Sequence, residues 1–430
     1  MSKYFNNPTV GIDVSADFSY AAILKPNGDV YKKSFKVSHD VDGFNHLLKE
    51  IRKVEEEFNM KTGIFMESTG VYHLSLFHFL KNQKLEVYLI NPLVTNCNKN
   101  KGIRKVKNDK QDALSIAELG KFQNIKAYSC LDIDTYTLKS LCRDYYKLVD
   151  TRSTFKKKLS ADLRVIFPGY TKLFVNVTSV TSLALLKAYP SPKDILNASK
   201  EDVTEILKLS KKGLSWVNTF YDKLIKISTD ANLIGIYSRG LSLKILSTIT
   251  TINNIEDQIK LYIFEIKAIA LSNTSNEVLN KNLKLLMSIP GIGFISAITI
   301  LTEIGDINSF LKPKQLVAYF GIDPSVNQSG KFKSDKDTIS KRGTRFGRRA
   351  LYAVALASIR KTWQGNEVNK VLYDFYNINL EGKKKKVALV AIMHKLINYI
   401  FAVLRDQKEY EQRQPQIHKR MYLENQNKVA

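Results

Sequence analysis

The chain has 430 residues, of which 44% are hydrophobic and 10% aromatic, so it exceeds the length at which one hydrophobic core keeps growing and can bury more than one. Its formal net charge of +25 at pH 7 favours a polyanionic partner, and nucleic acid is the leading candidate. Zinc binding is disfavoured because Cys97, Cys130 and Cys142 form no C-x-x-C pair. Secretion is disfavoured because the N-terminus has no signal-peptide layout, and membrane insertion because no apolar stretch of about 18 residues is free of charge.

The first 125 residues have the pattern strand, strand, strand, helix, strand, helix, strand, helix. Segments 19–25 and 30–37 flank Asn27-Gly28, which is a strong hairpin signal, and an amphipathic helix follows at 43–58. An antiparallel meander followed by alternating strands and helices is the order of a ribonuclease-H-like domain. We therefore predict an α/β domain of this class over residues 1–128.

Four carboxylates in this region have a distinctive placement. Asp13 lies inside a β-branched strand pattern, Glu67 ends a second apolar run, and Asp109 and Asp112 stand three residues apart before a helical pattern. A ribonuclease-H-like fold gathers acids from its first strand, its fourth strand and a late helix. Oxygen ligands suit Mg²⁺ or Mn²⁺, and two such ions roughly 3.5–4 Å apart can clamp the oxygens of a displacement at phosphorus. The pattern predicts such a metal site, although each acid alone also fits a structural role, such as a helix N-cap at Asp109.

Residues 129–284 are predicted to be helical. A helix begins near Asp132 and is stopped by Pro168-Gly169, and its Arg152, Arg164 and lysines 156–158 form either a solvated face or a phosphate-facing one. Apolar residues between 224 and 266 suggest a coiled coil of irregular register.

Residues 285–410 are predicted to form a mostly helical C-terminal domain, and residues 411–430 a polar tail. The domain opens with an apolar-Pro-Gly-Ile-Gly turn that resembles a helix-hairpin-helix element, in which the backbone at Gly291 and Gly293 can hold a phosphate. Residues 331–361 contain ten Lys or Arg against two Asp, and phosphate contact is the expected use of this stretch. The side chains selected for that contact are Lys331, Lys333, Lys341, Arg342, Arg345, Arg348 and Arg349.

Three blocks of sequence agree in order with one known family. They are the Asp13 strand, the acid motifs at 66–72, 91–92 and 108–113, and a C-terminal series of Pro-Gly-Ile-Gly, Tyr-Phe-Gly-Ile-Asp-Pro, Ser-Gly-Lys and Ser-Lys-Arg-Gly. The chain resembles the DEDD transposases of bacterial insertion sequences, which are related to the Piv site-specific DNA invertases. The likeness covers roughly residues 8–170 and 284–360, with departures at Ser68, Asn108 and 344–349.

The resemblance implies a RuvC-like N-terminal domain, a partly coiled-coil helical middle and a C-terminal transposase domain. It implies recombination of donor DNA with target DNA, in which a structured bridge RNA chooses the sequences. It also implies a homo-oligomer, either a dimer or a tetramer, that works in the bacterial cytoplasm at the nucleoid. The tetrad Asp13, Glu67, Asp109 and Asp112 is then expected to hold Mg²⁺, or Mn²⁺. Ser329 of the Ser-Gly-Lys motif is expected to attack the phosphodiester, with Ser325 and Ser340 as nearby alternatives.

Two other functions stay open on the sequence. A RuvC-like metal-dependent nuclease would hydrolyse DNA junctions with water and leave Ser329 structural. A non-catalytic DNA-binding protein would use only the hairpin element and the basic stretch, and four metal-type acids argue against it.

Overall fold

The computed structural model of the protein describes residues 2–68, 70–90, 109–123, 133–272, 277–325, 328–329, 332–333 and 338–412. Within this part of the chain, the side chains of residues 109, 110, 328, 329, 332 and 333 are not described. The chain divides into two compact units, Met1–Cys130 and Leu131–Ala430. The predicted domain boundaries at 128 and 284 stay predictions.

The first unit is built on a five-stranded mixed sheet. Its strands are β1 (Thr9–Val14), β2 (Phe18–Leu24), β3 (Val30–Ser38), β4 (Gly63–Glu67) and β5 (Glu86–Ile90), and its helices are α1 (Val41–Phe58), α2 (His73–Asn82) and α3 (Asp109–Phe122). The strand order is β3-β2-β1-β4-β5, with β1, β2 and β3 antiparallel and β1, β4 and β5 parallel. The predicted meander and the alternation of strands and helices are therefore confirmed.

The two faces of this sheet are covered by different helices, as the period-two alternation of its strands requires. Val10, Ile12 and Val14 of β1 pack with buried residues of α1 and α2. On the opposite face, Phe65 of β4 packs with Ile116 of α3 and its neighbours. Every second residue of β1 and β4 therefore faces α3.

In its described residues, the second unit is helical apart from one short hairpin and two isolated β-bridges. The helices are α4 (Ile133–Ile166), α5 (Tyr170–Leu173), α6 (Val180–Ala188), α7 (Pro192–Asn197), α8 (Lys200–Lys208), α9 (Leu214–Ile234), α10 (Arg239–Leu271), α11 (Glu277–Met287), α12 (Phe294–Ile304), α13 (Pro313–Tyr319), α14 (Arg345–Ser358), α15 (Lys370–Asp374) and α16 (Lys385–Asp406). A 3-10 turn covers Ile307–Ser309, a π-helical turn covers Phe375–Asn379, and the hairpin pairs β6 (Gln328–Ser329) with β7 (Phe332–Lys333).

Helices α4 and α10 pack side by side in antiparallel fashion. Lys244 of α10 pairs with Asp162 of α4 at 2.6 Å, and Glu256 further along α10 lies 3.4 Å from Lys156 further back on α4. Ile245, Ile252, Ile259 and Ile266, spaced at seven residues, are buried on α10. The predicted helical middle region is confirmed, while coiled-coil geometry stays a prediction.

Two hydrophobic cores lie along this helix pair. The core of the middle region joins the C-terminal half of α4 to α5 through α9 and the start of α10. The other core joins the start of α4 and the end of α10 to α11 through α16. In the described part of the chain, α16 alone is long and apolar enough to cross a bilayer, but nine of its residues are buried in this second core, as in the central helix of a folded domain.

Candidate active site

Asp13 and Glu67 lie at the adjacent ends of two parallel strands. The register pairs Gly11 with Phe65 and Ile12 with Met66, so the next step along both strands brings Asp13 beside Glu67. Paired residues of parallel strands point to the same face, and Phe65 of this row faces α3. Both acids are thus on the face covered by α3.

Gly11 lets α3 approach that face closely. A methyl group at Gly11 would lie 2.1 Å from the carbonyl oxygen of Ala113 and 2.2 Å from the amide nitrogen of Ala117. Two residues earlier on β1, the Thr9 hydroxyl donates to the carbonyl of Ala117 at 3.3 Å. Moving along β1 toward its carboxyl end therefore moves toward the start of α3.

The start of α3 carries the other two acids. A step of two residues along β1 covers about 6.6 Å, and a step of four residues along α3 covers about 6 Å, so the two steps are of similar length. The position of Asp13, two residues beyond Gly11, is therefore opposite the first turn of α3, which begins at Asp109 and contains Asp112. The backbone brings all four predicted acids to one edge of the sheet.

The side chains at this edge are oxygen donors in partly apolar surroundings. Glu67 is buried, with 8% of its surface exposed, and Asp13 and Asp112 are half-buried. Among the described side chains, which exclude that of Asp109, no three potential ligands lie together closely enough to hold a metal ion. The donor chemistry suits a hard divalent cation, and metal binding by the tetrad stays a prediction.

Ser329 lies in a short hairpin, and the chain on either side of the hairpin is held by hydrogen bonds at a base. The register of the hairpin pairs Ser329 with Phe332. At the base, Pro324 bridges Ile339, the amide of Ser340 donates to the carbonyl of Asp323 at 2.8 Å, and the amide of Lys341 donates to that of Gly321 at 3.0 Å. The base thus joins two of the motifs on which the resemblance rests.

The two alternative serines belong to that base. The Ser340 hydroxyl donates to the Asp323 carboxylate at 2.5 Å, and the Ser325 hydroxyl donates to the carbonyl of Thr338 at 2.8 Å. Both hydroxyls therefore have structural partners. The side chain of Ser329 is outside the description, so the assignment of the nucleophile to Ser329 stays a prediction.

Glycines explain why these motifs are close-packed. A methyl group at Gly343 would lie 2.1 Å from the carbonyl oxygen of Tyr319, and one at Gly347 would lie 2.2 Å from the ring of Phe320. Gly321 has a positive φ of 63°, which L side chains rarely adopt. The Tyr-Phe-Gly and Arg-Gly motifs accordingly build the support of the loop.

The predicted phosphate-binding side chains differ in their surroundings. Arg348 donates to the carbonyl of Phe320 at 2.9 Å, and desolvation lowers the pKa of its guanidinium. Arg349 donates to the Asp150 carboxylate at 2.6 Å and lies over the ring of Tyr146. These two arginines therefore have internal partners, which the sequence pattern did not indicate.

The remaining basic candidates are either exposed or outside the described side chains. Lys341, Arg342 and Arg345 are exposed, and none of them pairs with an acid in the described part of the chain. Lys331 lies outside the described residues, and so does the side chain of Lys333. The structure thus favours the three exposed side chains for phosphate contact.

The Pro-Gly-Ile-Gly segment forms the predicted turn between two helices, α11 and α12. Gly291 has φ 103°, and a methyl group there would lie 2.3 Å from the hydroxyl of Ser358, so this glycine is needed for packing. Gly293 is exposed, and a methyl group there would meet nothing within 4 Å. The Gly293 end of the turn is exposed, and phosphate binding at the turn stays a prediction.

An ion pair at the buried Glu303 was not predicted from the sequence. The Arg143 guanidinium donates to both carboxylate oxygens of Glu303, at 2.7 and 3.0 Å, and Lys139 lies 3.7 Å away. Burial alone would raise the pKa of Glu303, but the hydrogen bonds and charges of Arg143 and Lys139 outweigh it and hold the pKa below its usual value. The one sequence signal was a lone acid in the apolar helix α12.

Two family models match this chain. The model for the DEDD transposases of IS110 covers residues 10–168, and the model for transposases of the IS116/IS110/IS902 family covers residues 283–370. Together the two matches span more than half of the 430 residues. The chain belongs to the IS110 family of transposases. The first match of this IS110-family chain contains the four acids, and the second contains Ser329 and its supporting loop.

Similar proteins include the 43.6 kDa protein of insertion element IS110 from Streptomyces coelicolor, 24% identical over 54% of this chain and 53% of that protein. The pilin gene-inverting protein of Moraxella bovis is 32% identical over 31% of this chain and 40% of its own length. The transposase for insertion sequence element IS1111A from Coxiella burnetii is 29% identical over 37% of this chain and 41% of its own length. The IS110-family chain thus spans about half or less of the length of these relatives.

A solved structure of RuvC from Thermus thermophilus aligns with 26% of this chain and 90% of its own, at 12% identity and a TM-score of 0.19.

Proposed function

We propose that this protein is the strand-transfer enzyme of an insertion sequence and that it cuts and rejoins DNA. The observation that carries the proposal is the placement of Asp13, Glu67 and the start of α3, with Asp109 and Asp112, on one face and at one edge of the sheet. Such an arrangement is required for carboxylates from separate segments to act on one phosphate. Membership of a transposase family supports the same reaction class.

The four acids are proposed to hold Mg²⁺ or Mn²⁺. A divalent cation at these carboxylates supplies stabilisation of the charge that develops on the phosphodiester oxygens. The buried position of Glu67 limits competition by bulk water at the edge of the site. The rigid strands on which Asp13 and Glu67 lie fix their separation.

Ser329 is proposed to be the nucleophile. Its hydroxyl attacks phosphorus, a Ser329–phosphate ester forms, and one strand leaves with a free hydroxyl that takes up the serine proton. Attack by the hydroxyl of a different strand reverses these bonds, releases the serine and joins the new pair of ends. The ester conserves the energy of the phosphodiester, so rejoining needs no ATP.

Donor and target DNA, together with a structured guide RNA, are proposed as partners of a homo-oligomeric enzyme in the cytoplasm. The net charge of +25 supports a nucleic-acid partner of either kind. Sequencing the RNA that copurifies with the protein tests this part of the proposal. Sequence-specific recombination by RNA-free protein would contradict it.

The experiment that tests the chemistry uses a nicked suicide DNA substrate in Mg²⁺ and maps the DNA-linked peptide by mass spectrometry. We expect an adduct at Ser329 in the wild-type protein, and no cleavage by Asp13→Ala, Glu67→Ala, Asp109→Ala or Asp112→Ala. Glu118→Ala is the matched control, because Glu118 is an exposed acid of the same helix α3. Cleavage without any adduct, kept in Ser329→Ala, would favour a RuvC-like nuclease that uses water.

A further inference from the structure

Trp363 is the most exposed aromatic residue of the described chain, with 93% of its surface accessible. Tryptophan buries a large apolar area when it is packed, so its full exposure forgoes a substantial stabilisation. Single exposed apolar residues are common on protein surfaces and by themselves carry no meaning. The case for function therefore depends on how this ring is held and on what surrounds it.

The Trp363 turn, defined here as residues 360–368, is closed by backbone hydrogen bonds. Lys361 bridges Glu367 in antiparallel fashion, the amide of Thr362 donates to the carbonyl of Asn366 at 2.7 Å, and the amide of Gly365 donates to the carbonyl of Thr362 at 3.0 Å. Gly365 has φ 89°, which suits glycine. The tryptophan is therefore presented on a defined turn.

The turn is also anchored at its base to the Pro-Gly-Ile-Gly turn. The amide of Asn369 donates to the carbonyl of Ser358 at 3.2 Å, and the Asn369 side chain and the Ser358 hydroxyl both donate to the carbonyl of Pro290, at 3.4 and 3.2 Å. Asn369 and Ser358 are fully buried. The Trp363 turn and the turn that ends at Gly293 thus belong to one supported surface.

The neighbours of Trp363 are polar and basic. Thr362, Gln364 and Asn366 adjoin Trp363 in the sequence and are exposed. Arg360 and Lys361 lie at the start of the turn, where Lys361 pairs with Glu367 at 3.8 Å and Arg360 is exposed. An aromatic anchor for a protein partner is normally surrounded by further contacts that exclude water. A lone ring with amide and cationic neighbours instead fits an unpaired base, which stacks on the ring while its phosphates meet the cations.

We propose that Trp363 is the stacking platform for an unpaired nucleotide, with Arg360 as a phosphate contact of the same strand. This inference rests on the proposed function, because it assumes that the protein binds nucleic acid. It adds a site for single-stranded or unstacked segments, which arise whenever strands are opened for exchange or for pairing with a guide. Every base has a flat face, so the site is expected to accept DNA and RNA without reading sequence.

The chain allows a direct optical test, because it has two tryptophans and the other, Trp216, is stacked on Phe220 at 4.6 Å between ring centroids. In a Trp216→Phe protein, Trp363 is the sole tryptophan and reports stacking as fluorescence quenching. Probes are short oligothymidylate, oligouridylate and a blunt DNA duplex, with binding followed independently by the anisotropy of a labelled strand. We expect both single strands to quench Trp363 and the duplex to bind with little quenching.

Affinity gives the second readout, measured in the full-length protein. We expect Trp363→Ala to weaken single-strand binding by about 5- to 100-fold, with duplex binding unchanged and with most of the affinity restored in Trp363→Phe. Single-strand binding that is unaffected by Trp363→Ala, or equal quenching by the duplex, would overturn the stacking site while leaving the proposed function intact. Trp363 emission that depends on protein concentration without nucleic acid would overturn it too and assign the ring to a second copy of the chain. Failure of any labelled strand or duplex to bind would remove both proposals.

Discussion

A single methyl group at Gly11 tests whether the candidate site is assembled as described. In Gly11→Ala the new carbon would lie 2.1 Å from the carbonyl oxygen of Ala113, whereas ordinary contacts of this kind begin near 3.4 Å. Helix α3 must therefore move away from β1 by more than an ångström, and Asp109 and Asp112 move with it. Every predicted catalytic side chain is retained in this variant.

The expected effect follows from that displacement. A misplacement of about 1 Å in a catalytic group can cost about 100-fold in rate, so we expect a decrease of this order in Mg²⁺-dependent cleavage. Because the acids would no longer converge, binding of Mn²⁺ measured by electron paramagnetic resonance should weaken as well. This second measurement requires no DNA substrate.

The matched control is Gly213→Ala, where a methyl group meets nothing within 4 Å. Circular dichroism of both variants checks that each remains folded. A folded Gly11→Ala protein that binds Mn²⁺ and cleaves DNA like the wild type would refute the assignment of α3 to the site.

Three further predictions concern charge. Replacing Lys341, Arg342 and Arg345 together by Ala should weaken DNA binding about uniformly across sequences. The slope of log K against log salt, measured by filter binding, should flatten by up to about 0.9 for each phosphate that is no longer bound. An unchanged slope would exclude these residues from phosphate binding. Arg143→Ala should lower the free energy of unfolding, measured in urea, by about 2–3 kcal/mol, less than for a fully buried pair because Arg143 is partly exposed. The control Lys147→Ala breaks an exposed ion pair and should lower it by about 0–0.5 kcal/mol. Hydrogen bonds from Lys3, Tyr4 and Tyr88 lower the pKa of Glu86 from 4.5 to about 2. The stability contributed by Glu86 is thus fully present above pH 4.5 and disappears as the pH falls toward 2, and acid titrations of unfolding should be flatter in Glu86→Gln.

The local pattern of the sequence was sufficient for the elements of the first unit. Alternating side chains in β1 and β4 and the Asn-Gly turn before β3 are signals carried within a few residues, and the succession of the elements indicated the fold class. The same alternation places Asp13 and Glu67 on one face once the two strands are paired. Prediction of the acid site therefore needed only the topology and the register.

Interactions between distant segments were not accessible in this way. Arg349 meets Asp150 across 199 positions of sequence, and Arg143 meets Glu303 across 160. A stretch dense in Arg and Lys gives no sign of which side chains fold back onto carbonyls and acids. Arg348 and Arg349 were for that reason grouped with exposed cations, although they have internal partners.

The last prediction concerns which of the three serines is the nucleophile. Ser325→Ala removes the bond to the carbonyl of Thr338, and Ser340→Ala removes both the bond to the Asp323 carboxylate and the bond accepted from the amide of Arg342. Each change should cost about 0.5–3 kcal/mol, the upper part applying to Ser340 because one of its partners is a carboxylate. We expect both variants to be less stable and still to form the adduct at Ser329, whereas Ser329→Ala should form none. The Asp323 carboxylate, 2.5 Å from the Ser340 hydroxyl, is placed to accept its proton, which makes Ser340 the competitor to exclude. An adduct mapped to Ser340, absent in both Ser340→Ala and Asp323→Asn, would transfer the nucleophile to the base of the loop and make the Ser329 hairpin a substrate-binding element.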